Sequence, residues 1–176
     1  MDHQAFAQLL GNYGEFVGAI AVVITLGYLA VQIKQSTATA QAVSRQTLID
    51  GWAVTQGQLQ NNPDLLRIYA KGITQWSTMS NTEKTQFDVG MAGFLGNIQN
   101  GIDLQESGML DQETLDTIAS FMLTCIRYEG GAQWWQETGF ATPRTRAYLK
   151  NQLEVARDGI TAMELAPHWM AMADEK

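Results

Sequence analysis

Residue types that carry chemistry are sparse in this chain, and their spacing fits no catalytic template. The 176 residues include two histidines, His3 and His168 at opposite ends, and one cysteine, Cys125. Hydrolytic zinc of the usual kind needs several histidines close together, so that chemistry is disfavoured. No glycine-rich phosphate loop, H-E-x-x-H, paired-cysteine motif or nucleophile elbow occurs, and no catalytic residue, cofactor site or metal site is expected. His168 beside Trp169 has ligation of a metal or tetrapyrrole as its lesser reading and a surface residue near a terminus as its main one. Cys125, among Phe121, Met122 and Ile126, reads as a small buried apolar residue. One polar cluster is left, Asp103 with Arg127 and Glu129. It is either a buried ion pair at an uncatalogued ligand site or a solvated one that contributes almost nothing.

The elements that would position these residues begin with an uncharged run, Phe16 to Ile33, between Glu15 and Lys34. About 18 helical residues span roughly 27 Å, close to the ~30 Å of a bilayer core, and Tyr13 and Lys34 stand where interfacial anchors belong. The favoured reading is a transmembrane helix over 15–34, preceded by a short segment 1–14. A core helix of a soluble fold is a second reading, since the run is near the lower limit for a span and holds Thr25 and Gln32. A cleaved signal peptide is a third. Small-residue pairs around Ala38 and Ala40 suit cleavage, but the segment before the run is acidic and the run exceeds a signal's apolar stretch.

Gly11, Gly14, Gly18, Ala21 and Thr25 recur at alternating steps of three and four, forming one small-residue stripe along this helix. Val17, Ile20, Ile24 and Leu26 lie opposite, bulky enough to face lipid. Such a stripe lets a second backbone approach closely, which makes it the candidate helix-packing interface, with the abundance of glycine in membrane helices as the plain alternative. The basic residues near the run, Lys34 and Arg45, both follow it. The expected orientation is therefore N-terminus outside and C-terminal domain in the cytoplasm.

Beyond Ile33 the sequence from Lys34 to Gln60 has no proline and continues the helix into water, with Gly51 and Gly57 as weak points. A cytoplasmic helical domain is expected over 35–159 and a tail over 160–176. Asn62-Pro63 caps and opens a short helix ending near Gly72; Ser80 with Glu83 has capping-box spacing and opens a long core helix reaching toward Gly108. In that helix Gly90, Gly93 and Gly96 stand three apart and imply close packing, while Asn97, Asn100 and Asp103 extend the same side. Asp111 caps the next helix, which Gly130-Gly131 ends. Trp134-Trp135 forms a short segment, a binding surface in one reading and aromatic plugs of a bundle in the other. Thr142-Pro143 opens a last helix with Leu149, Leu153 and Ala156 inward. No strand-like alternation or repeat appears, so the class is all-α, a transmembrane helix continuing into a multi-helix bundle.

The AVVITLGYLAVQIKQ run, the Asn62-Pro63-Asp64-Leu65 turn, the Ser80 cap, the Gly108-Met109-Leu110-Asp111 turn and the Gly130-to-Trp135 segment carry a resemblance. In layout, over most of Gly14 to Val155, the chain resembles uncharacterised bacterial proteins with one N-terminal span and a C-terminal α-helical domain. The resemblance implies a bacterial inner-membrane setting and no activity.

A net charge of −7 and a pI near 4.7 argue against a nucleic-acid partner, because the eleven lysines and arginines are scattered rather than gathered into a basic patch that would displace counterions. The expected partners are the lipid bilayer and another membrane protein or a second copy. Two functions remain: a membrane-anchored accessory or scaffold subunit without catalysis, and an enzyme or ligand sensor with its site around Asp103, Arg127 and Glu129.

Overall fold

The computed structural model describes residues 3–157 and 171–173, with side chains described over 11–155 and 171–173. His168, Trp169 and most of the 160–176 tail lie outside the described residues, as does the Ala156 side chain. Regular structure among the described residues is entirely helical, in agreement with the all-α expectation. The chain divides into two compact units, Met1–Val43 and Ser44–Lys176.

Helix α1, His3–Gln60, runs through both units as 58 helical residues, unbroken at Gly51 and Gly57. Within the first unit it is the sole element, so it has nothing of its own to pack against, and every side chain over 11–39 is exposed. The second unit begins at Ser44, beyond the 34/35 boundary drawn from sequence, and its first core residue is Leu48.

The second unit is a bundle built around α3 (Asn81–Glu106). Ser80 and Glu83 form the capping box that their spacing predicts, each side chain meeting the other's backbone N–H. Phe87, Met91, Phe94, Leu95 and Ile98 recur at helical steps and are all buried. Helices α2 (Pro63–Gln75), α4 (Gln112–Arg127) and α6 (Pro143–Arg157) pack on α3. Asn62 caps α2 and Asp111 caps α4, each side chain accepting a backbone N–H from the first turn. Gly108 adopts φ +72°, the left-handed turn between α3 and α4 that glycine permits.

Two helix ends differ from the sequence expectation. Helix α2 runs past Gly72 to Gln75 and is followed by a 3₁₀ turn, Trp76–Thr78. Gly72 is there for contact, not termination: a Cβ on it would come within 2.3 Å of the Phe87 ring. Gly130-Gly131 likewise does not end α4, which stops at Arg127. The pair lies in the first turn of α5 (Glu129–Glu137), the helix that carries both Trp134 and Trp135. A Cβ on Gly130 would lie 2.6 Å from the Gly72 carbonyl oxygen, and one on Gly131 would lie 1.9 Å from that of Cys125. The two glycines therefore let the start of α5 press against the backbones of α2 and α4.

Candidate functional site

Small residues on α1 leave one side of the helix smooth. Gly11, Gly14 and Gly18 have no atom within 4 Å of where a Cβ would stand, so the stripe is open for its whole glycine length. The Thr25 hydroxyl donates to the Ala21 carbonyl at 2.8 Å, so its hydrogen needs no outside partner. Gln32 Nε2 donates to the Tyr28 hydroxyl at 3.0 Å, and Thr37 to the Ile33 carbonyl at 3.0 Å. Both threonine hydroxyls, and one amide hydrogen of Gln32, are thus bonded inside the helix. Around them Phe16, Val17, Ile24 and Ile33 are 60–66% exposed. This helix is long and apolar enough to cross a membrane, with a mean hydropathy of 2.2 over its best 18-residue window.

The polar cluster expected in the bundle is not assembled. Arg127 and Glu129 are both exposed, and Asp103 is paired with Arg144 of α6, Nη1 to Oδ1 at 2.7 Å, instead of with Arg127. The helical phase of α4 explains it: Met122, Cys125 and Ile126 take the core face, which turns Arg127 to solvent. Arg144 also holds Glu106, and these carboxylates raise its pKa further above its ordinary value, the Glu106 hydrogen bond contributing most. The three side chains are about half exposed, which makes this a solvated clamp between α3 and α6. Asn100 is also exposed, while Asn97 is half-buried with its amide oxygen against Gly51. Of Gly90, Gly93 and Gly96 on α3, Gly90 meets the Tyr69 phenol, Gly93 faces Thr55 loosely and Gly96 faces open space; further along the helix Gly101 meets Leu115.

Residues that sequence reasoning passed over join the helices. Gln99 Oε1 accepts from the buried Thr145 hydroxyl at 2.7 Å and from Thr142, tying the start of α6 to α3. Asp116 on α4 accepts from Tyr148 at 2.7 Å and Gln152 at 2.8 Å, both on α6. Burial, then the Asp116 bond, pushes the Tyr148 phenol well above its ordinary range and keeps it a donor. Trp134 is fully buried, while Trp135 lies under the Arg146 guanidinium at 4.6 Å. The pair closes the bundle, as the aromatic-plug reading has it. Cys125 is fully buried and burial raises its thiol pKa, so it is inert.

The bundle surface carries clefts between helices. One, about 590 Å³, runs between the Arg45–Gln56 part of α1 and α4, with Trp52 and Phe121 among its lining residues. No cluster of three or more His, Cys, Asp or Glu side chains able to hold a metal occurs among the described residues. No protein-family model, curated protein or solved structure matches the chain.

Proposed function

We propose that this chain is a membrane-anchored, non-catalytic accessory or scaffold subunit of a bacterial inner membrane. Its α1 run crosses the bilayer with the N-terminus outside and the bundle in the cytoplasm. The stripe of Gly11, Gly14, Gly18, Ala21 and Thr25 packs against a neighbour, a second copy or a larger membrane complex, and the helical domain holds the assembly on the aqueous side.

The observation that carries this reading is the α1 surface itself. A contiguous apolar cylinder far exceeds the patches that soluble monomers leave open. Its Thr25 hydroxyl and one Gln32 amide hydrogen bond within the helix, which lowers the cost of a lipid setting. One side of it is smooth enough for backbone-to-backbone approach. Lys34 and Arg45, both following the run, support the orientation.

The test is a Gly14→Leu, Gly18→Leu pair in the full-length protein. It inserts normally, because leucine favours the bilayer, but loses its crosslinked neighbour in native membranes. Unchanged crosslinking to the same neighbour sinks the packing role. Recovery of the wild-type chain in the soluble fraction sinks the anchor.

A further inference from the structure

We propose that the cleft between the end of α1, α2 and α3 is a binding site for a small uncharged molecule with an apolar body and one carbonyl or ether oxygen, received by the hydroxyl of Tyr69.

Tyr69 is 1% exposed, its ring held by Phe87 at 5.3 Å and Phe94 at 6.3 Å between centroids. Its hydroxyl accepts from and donates to no group among the described residues. A nearly buried hydroxyl that meets no neighbouring protein group bonds to whatever fills the space before it, water or a ligand. Among the described residues no fully enclosed side-chain oxygen or nitrogen lacks a partner, so the Tyr69 oxygen opens onto the cleft that the residue lines. Gly90, which also lines the cleft, makes room for the phenol: a Cβ there would stand 1.5 Å from the hydroxyl oxygen.

Chemistry of the walls selects the ligand. The cleft encloses about 270 Å³, room for a ring-sized molecule, and Leu59, Leu65 and Val89 form its apolar sides. No carboxylate, ammonium or guanidinium lines it, so a charged ligand would lose its hydration without compensation. Thr55 and Thr85 spend their hydroxyl hydrogens on Gly51 and Asn81 carbonyls of their own helices. Burial holds the Tyr69 phenol protonated far above the physiological range, which makes it a donor at every working pH and calls for an acceptor on the ligand.

The experiment titrates the full chain, in detergent and with methyl-labelled leucine and valine, with cyclohexanone. Cyclohexylammonium and cyclohexanecarboxylate serve as charged analogues. Cyclohexanone is expected to shift the Leu59, Leu65 and Val89 methyl signals saturably, and the charged analogues are not. Tyr69→Phe keeps the ring packing and weakens cyclohexanone about fivefold to tenfold, the loss of one ordinary hydrogen bond. Val89→Trp, at a position 65% exposed on the rim, fills the cleft and abolishes the shifts without touching the core. Absence of saturable shifts in the wild type overturns the site. Equal affinity in Tyr69→Phe, or equal binding of the charged analogues, overturns the assigned recognition.

Discussion

Asp88 of α3 accepts the indole N–H of Trp134 at 2.6 Å, and this bond sets the depth at which α5 enters the bundle. Trp134 is completely buried and its ring stands edge-on to Phe87 at 5.6 Å, so the indole cannot turn its nitrogen to water. Trp76 repeats the arrangement, its nitrogen donating to Glu137 at 2.9 Å. Between them the two bonds tie the C-terminal half of the short α5 to α3 and to the turn after α2.

Asp88→Ala therefore strands a buried donor and lowers unfolding stability by about 1–3 kcal/mol, whereas Asp88→Asn keeps a carbonyl acceptor and loses less than half of that. Urea unfolding followed by tryptophan fluorescence checks the order. Equal losses for the two variants mean that the carboxylate charge, and not acceptance from Trp134, is what matters.

Glycines in this chain divide into two kinds that substitution separates. Gly130→Ala forces a methyl to 2.6 Å from the Gly72 carbonyl and 2.7 Å from the Gln75 nitrogen. Rigid backbone cannot yield, so a loss of about 3 kcal/mol or more is expected. Gly96→Ala meets nothing within 4 Å and removes a mid-helix glycine, a gain of about 0.5–1 kcal/mol. Thermal melts of the two variants should move in opposite directions.

Legibility of the fold followed the range of the interactions. Capping signals were readable because donor and acceptor lie three residues apart: Ser80 with Glu83, Asn62 with Leu65 and Asp111 with Thr114. The α3 core positions were readable because helical phase alone selects them. Gly72 and Gly130-Gly131 were not, since a glycine that ends a helix and one that admits a neighbour's backbone look alike until the neighbour is placed. The partner of Asp103 was missed for a similar reason. Arg127 is the nearer cation in sequence, but α4's buried face turns it outward, and Arg144 reaches Asp103 from the start of α6, which Gln99 ties to α3. Tyr69 carried no chemical signal in sequence; a glycine at position 90 within an otherwise well-formed helix was the single trace of it.

Acid should loosen the start of α3 first. The Glu83 carboxylate is held down to about 2 from an ordinary 4.5, chiefly by the Ser80 backbone N–H, then by Lys71 at 3.0 Å. A depressed carboxylate contributes stability that is complete above the unfolded value and is lost as pH falls through the folded one. For Glu83 that window runs from 4.5 down to about 2. Glu83→Gln keeps a side-chain acceptor for the Ser80 N–H but carries no proton equilibrium, so its stability falls less steeply across that window than the wild type's. Parallel pH profiles for the two proteins would show that the capping box does not couple to acid unfolding.

Orientation of the proposed span can be read with cysteines at Asn12 and Ser36, the two sides of the apolar run. The native Cys125 does not interfere: it is fully buried, and burial pushes its thiol far from reactive range, so an impermeant maleimide passes it by. Both Asn12 and Ser36 are exposed on α1, so neither substitution disturbs packing. Lys34 and Arg45 on the C-terminal side oppose transfer of that side across an energised membrane, while the segment before the run carries Asp2 and Glu15 and no lysine or arginine. Asn12→Cys is therefore labelled in intact cells, and Ser36→Cys only after the membrane is opened. Adding two lysines to the N-terminal segment, at Gln4 and Gln8, removes the asymmetry and should produce a mixed population in which part of the Ser36→Cys chains label from outside. If Ser36→Cys labels from outside in the unmodified background, the bundle faces the opposite compartment and charge does not set the topology of this chain.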